Sequence, residues 1–151
     1  MKQNAKRLLC LVAVSMLFAG LWTCGSAFAA GKGDSCSLLT KEEVSEIVGS
    51  HVKEVKAEAM PRPNCKYVLE KGSVVVFLFP DAKIDFESGK KYQDKPQPVS
   101  GVGDDAYWSP NVRVINVLRK NTYFTVQFLG FKAGSLATAK ALALKAVTRV
   151  R

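Results

Sequence analysis

Cys65-Lys66-Tyr67-Val68-Leu69-Glu70-Lys71-Gly72-Ser73-Val74-Val75-Val76-Phe77-Leu78-Phe79 is the stretch on which the fold turns. Cys65, Tyr67 and Leu69 recur at every second position, Lys71-Gly72 supplies a turn, and residues 74 to 79 are continuously apolar before Pro80 stops the run. Two such runs joined by so short a turn read as a β-hairpin. Strands joined this way are antiparallel, because parallel neighbours need a crossover of a dozen or more residues.

Working outward toward the C-terminus, Gly101-Val102-Gly103-Asp104-Asp105-Ala106-Tyr107-Trp108 reads as a glycine-hinged approach to a short aromatic strand. Ser109-Pro110-Asn111 turns the chain, residues 112 to 119 alternate, Lys120-Asn121 turns it again, and residues 122 to 129 alternate. That is a meander of three short strands. Ser135 then caps a last helix on which Leu136, Ala139, Ala143, Ala146, Val147 and Val150 share a face. Lys140, Lys145, Arg149 and Arg151 accumulate there, where they complement the negative end of the helix dipole.

Toward the N-terminus, Leu39-Thr40-Lys41-Glu42-Glu43-Val44 is a helix start. Thr40 and Glu43 form a capping box, Leu39 and Val44 a hydrophobic staple, and Gly49 ends the element. Residues 52 to 59 are extended, Met60-Pro61-Arg62-Pro63-Asn64 is a loop, and the polar residues 81 to 98 hold a helical turn over 84 to 92. The order predicts an α+β domain: a mostly antiparallel sheet of about five or six strands, with an N-terminal and a C-terminal helix packed on it.

The chain has 151 residues, a formal charge of +9, eight phenylalanines and two tryptophans, enough apolar material for one core and too little length for two domains. Lys2, Lys6 and Arg7 precede an apolar run over residues 8 to 19, and Ala27-Phe28-Ala29 supplies small residues at a cleavage site. Residues 1–29 therefore read as a secretory signal peptide, residues 30–35 as a polar lead-in and residues 36–151 as the single domain. Leu21-Trp22-Thr23-Cys24 is the alternative, a lipoprotein site in which Cys24 carries the lipid, although Trp22 is bulkier than such sites take. The three cations of the leader leave with it, taking +9 to +6, and the other 19 Lys and Arg are interspersed among 13 acids. Such a surface is a mixed solvated one, so no nucleic-acid partner is expected, nor a transmembrane segment after processing.

Cys10 and Cys24 also fall within the leader, which leaves Cys36 and Cys65 as a pair in an oxidising compartment, read as one disulfide. Their spacing fits neither a C-x-x-C redox site nor haem attachment, and the single His51 leaves a zinc site short of ligands. His51 reads as a surface residue. No motif implies a metal or cofactor, since the chain lacks a phosphate-binding glycine loop leading into a helix, an H-E-x-x-H helix and an EF-hand loop. Asp104 and Asp105 are the segment that invites a functional reading, as a cation site or an acid and base. Neighbours on a strand point to opposite faces, however, so the pair reads as a turn whose carboxylates bond backbone amides. Tyr107 and Trp108, with Phe77, Phe79, Phe124, Phe128 and Phe131, either line a ligand cavity or fill the core, and the size of the domain favours core.

Three stretches, Cys36 to Val44, Gly101 to Trp108 and the alanine-rich helix from Leu136, resemble a family of small exported bacterial proteins and lipoproteins, common in actinobacteria and known as a domain of unknown function. Cys65-Lys66-Tyr67 fits the same pattern. The resemblance covers residues 36 to 151 and implies a PsbP-like α/β/α sandwich, with no catalytic residues to transfer. The resulting expectation is an exported, periplasmic or extracellular, non-catalytic domain that binds a cell-envelope protein. The alternatives are a carrier of a small apolar ligand or lipid and an enzyme of unknown class.

Overall fold

Thr40 starts the first helix in the way its sequence predicts. In this computed structural model, which describes residues 34–130 and 134–150, the Thr40 hydroxyl accepts from Glu43 N (3.2 Å) and Glu43 Oε2 accepts from Thr40 N (2.9 Å). The helix, α1, runs Lys41–Val48 and ends on Gly49 in the left-handed conformation. The expected signal peptide, the lipid-acceptor reading of Cys24, Phe131 and Arg151 lie outside the described residues.

Seven strands follow: β1 (Glu54–Glu58), β2 (Asn64–Val68), β3 (Ser73–Phe79), β4 (Gln97–Pro98), β5 (Asp105–Ser109), β6 (Val114–Arg119) and β7 (Thr122–Leu129). They form one sheet in the order β1-β2-β3-β7-β6-β5-β4, antiparallel at every step. The hairpin read from residues 65 to 79 closes with Val68 opposite Ser73 and Leu69 N donating to Gly72 O (3.0 Å). Strand β7 pairs with β3 along its whole length, from Ser73 opposite Leu129 to Phe79 opposite Tyr123, and so joins the two meanders into one sheet.

The class is α+β, with a strand count above the expected five or six. The addition is β4, two residues opposite Trp108 and Tyr107. At a sheet edge the missing N–H of Pro98 costs no ladder bond. Because neighbours alternate in direction, β3 and β4 point the same way and need a crossover. The segment read as a helical turn is that crossover's ten-residue helix, α2 (Lys83–Tyr92).

The last helix, α3 (Leu136–Val147), is capped by the Ser135 hydroxyl, which accepts from Thr138 N (3.2 Å). With α1 it covers one face of the sheet, where Tyr67, Val74, Val76, Ile115, Val117, Phe124, Val126 and Trp108 form the main core. On the other face Phe86 of α2 packs against Tyr107, Leu118 and Tyr123. The molecule therefore has three layers, with the second helical layer covering only part of its face.

Cys36, in a 3-10 turn at Ser35–Ser37, is bonded to Cys65 of β2 with their Cα atoms 4.9 Å apart. The bond ties the lead-in of α1 to the sheet. Tyr67 reinforces the same junction, its buried hydroxyl donating to Leu39 O (2.7 Å).

Candidate functional site

Asp104 and Asp105 do not converge. Asp104 precedes β5, and its carboxylate accepts from Arg119 Nη1 (2.8 Å) and from the Lys120 amide in the turn between β6 and β7. The Lys120 amide, then the Arg119 guanidinium, hold the Asp104 carboxyl below its ordinary range. Asp105 instead accepts from Lys90 Nζ of α2 (2.6 Å). One carboxylate braces a hairpin and the other pins a helix, so neither is placed to exchange a proton with the other.

Tyr107 and Trp108 are buried on opposite faces, Tyr107 beneath α2 and Trp108 in the main core. Phe124 and Phe128 are also core, whereas Phe77 and Phe79 are only half-buried. His51 is exposed. Among the described residues no three His, Cys, Asp or Glu side chains gather into a metal-binding group.

Phe77 and Phe79 belong to a ladder of rings. They lie on the α2 face of β3 with centroids 6.1 Å apart, and Phe79 stacks on Tyr123 of β7 at 5.1 Å. Tyr123 meets Phe86 edge-on at 5.6 Å, and Phe86 meets Tyr107 at 5.3 Å. The ladder runs from under α2 out to the part of the face that α2 leaves open. Burial raises the Tyr123 phenol above its ordinary range, and its hydroxyl donates to Asn116 Oδ1 (2.7 Å). What Tyr123 offers outward is therefore its ring.

At the open end of the ladder is a groove of about 450 Å³, floored by Phe79 and Tyr123 and walled by Arg62, Pro63 and Asp85. The Arg62 guanidinium lies 5.8 Å over the Phe79 ring, a cation–π arrangement. Met60, in the same loop as Arg62, and Ile84, beside Asp85 in the first turn of α2, are 80% and 78% exposed. A half-buried aromatic floor with one cation and one anion beside it suits contact with another molecule.

Arg62, Asp85 and Tyr123 escaped the sequence reading. The available signal was the pair Phe77 and Phe79, two rings on one face of a strand, which a continuous apolar run from 74 to 79 disguised. Comparison with known protein families, with characterised proteins and with solved structures finds no match. Among the described residues, no helix is long and apolar enough to cross a membrane.

Proposed function

We propose that this chain is an exported, non-catalytic domain that works by binding a cell-envelope protein through the groove floored by Phe79 and Tyr123. One observation carries the reading: an aromatic ladder continues past α2 into an open groove lined by Phe79 and Tyr123 together with Arg62, Pro63, Leu78 and Asp85. Anchors of this type, large rings set in a concave surface with an arginine beside them, supply most of the energy in protein contacts. Export belongs to the same proposal. It rests on the charged start, the apolar run and Ala27-Phe28-Ala29, and the Cys36–Cys65 disulfide is compatible with an oxidising compartment. Kinship with the exported actinobacterial family is proposed on the residues quoted for it.

Carriage of a small apolar molecule is the second reading, favoured by a groove volume within the range of ligand sites. Crosslinking in the native envelope, followed by identification of what is attached, separates the two. Binding predicts a protein adduct that is lost in Arg62→Glu, together with native mass spectra free of any co-purifying small molecule. A co-purifying apolar mass without a protein adduct would transfer the groove to the carrier reading.

A further inference from the structure

Phe79 pairs with Tyr123 at the groove end of β3 and β7, and Ser73 pairs with Leu129 at the other, so the sheet has an end remote from the groove. Three connections meet along it. The β2–β3 turn carries Lys71 and Gly72, and Gly72 lies against the residue that follows β7: a Cβ on Gly130 would stand 3.4 Å from the Gly72 Cα. The β5–β6 turn, residues 110 to 113, is joined to β7 by Phe128 N donating to Arg113 O (3.1 Å), which sets Val112 beside the end of β7. Asn111 Nδ2 of the same turn donates to Asp94 Oδ2 (3.3 Å) and draws in the segment between α2 and β4, with Lys95.

Val112 and Leu129, both aliphatic, are 47% and 42% exposed at this end. Lys71 and Lys95 flank them, both exposed, and neither forms an ion pair among the described residues. Lys91 and Tyr92, which close α2 just before this segment, are exposed as well, with the ammonium 5.3 Å over the ring. The acids carried by these turns and strand ends are already matched: Glu54 to Lys56 (3.0 Å), Glu70 to Lys53 (3.8 Å) and Asp94 to Asn111. Positive charge without a counter-charge, set around exposed aliphatic side chains, selects a partner that is both anionic and apolar. The side chains stand on turns at a sheet end, and the groove includes none of them. Turns that carry Tyr, Val and Leu among lysines suit a bilayer surface, where the apolar groups dip into the headgroup layer and the ammonium groups meet phosphates.

We propose that this end of the sheet, through Lys71, Lys91, Tyr92, Lys95, Val112 and Leu129, rests reversibly on the surface of an anionic lipid bilayer. The contact leaves the groove at the opposite end facing away from the membrane, and it stands whether or not the groove binds a protein.

The test is co-sedimentation of the purified, disulfide-bonded chain, begun at Ala30 so that the apolar leader takes no part, with vesicles of phosphatidylcholine alone or of equal parts phosphatidylcholine and phosphatidylglycerol. Binding is expected to the anionic vesicles only, and it should fall steeply between low salt and about 0.5 M salt. Lys71→Glu with Lys95→Glu, two exposed positions, should weaken it at least about tenfold. Lys83→Glu with Lys120→Glu makes the same change of charge at the groove end and should cost much less. Val112→Ser should weaken binding at least about threefold while leaving its salt dependence unchanged. No binding to anionic vesicles at low salt, equal binding to neutral ones, an equal loss in the two double variants, or no loss in Val112→Ser would overturn the proposal. Dextran sulfate bound as tightly as the anionic vesicles would also overturn it, by giving the lysines to a dissolved polyanion.

Discussion

Arg149 reaches from beyond α3 back to the start of α1. Its Nη1 and Nη2 donate to the two carboxylate oxygens of Glu43 at 2.7 and 2.8 Å, and Nη1 also donates to Leu38 O at 2.8 Å. Hydrogen bonding from Arg149, opposed by burial and helped by the Thr40 amide, brings the Glu43 carboxyl down to about 2. A depressed carboxylate stabilises the fold above the pKa of the unfolded chain, about 4.5, and that contribution fades as pH falls toward 2. Arg149→Ala should therefore cost about 1 to 2 kcal/mol at pH 7, a value discounted because the guanidinium is partly solvated. In urea unfolding, the gap between variant and parent should narrow between pH 5 and 2. A gap that widens on acidification would contradict the assignment. Gly103 makes a different demand: its φ is +64°, and a Cβ there would collide with Leu118 O and with Val117 Cγ1. Gly103→Ala should destabilise by at least about 2 kcal/mol, read as a lowered Tm.

At the scale of elements, the Cys36–Cys65 bond closes a loop 29 residues apart and should contribute roughly 3 to 4 kcal/mol on the chain-entropy account. Cys36→Ser with Cys65→Ser should lose about that much in denaturant unfolding, and in the parent neither Cys36 nor Cys65 should be alkylated before reduction. Free thiols at Cys36 and Cys65 in the native chain would contradict the bond. The elements differ in how openly the sequence announces them, for physical reasons. Helix α1 carries its own start and stop, Thr40 with Glu43 and then Gly49, so local chemistry sufficed. Strands β2, β3 and β7 carry their alternation or apolar run with them. Helix α2 does not: Phe86 is its one buried residue, Ile84 faces solvent and Gly89, a poor helix former, lies within it. The glycine is explained only from β5, since a Cβ on Gly89 would stand 2.8 Å from Tyr107 Oη. Strand β4 is defined entirely by its partner β5, so two residues of sequence held no sign of it. The groove was hidden for the same reason, its wall and floor being drawn from the loop at Arg62, from β3, from α2 and from β7.

Across the whole molecule the two faces of the sheet are unequally covered. Helices α1 and α3 close the main core, while α2 closes a smaller one around Phe86 and stops short of Phe77 and Phe79. The outer edge at β1 bears Glu54, Lys56 and Glu58, with Lys56 paired to Glu54 (3.0 Å) and Lys66 to Glu58 (3.5 Å), and such charges discourage edge-to-edge strand pairing. Under the proposed binding role, a charged edge and an open aromatic groove together would direct association to the α2 face. The most direct test is site-specific photo-crosslinking in the native envelope, with the probe placed at Ile84 beside the groove or at Leu144, exposed on α3 over the opposite face. The account predicts a discrete protein adduct from Ile84 and none from Leu144. Equal adducts from both positions, or an adduct from Leu144 alone, would contradict it.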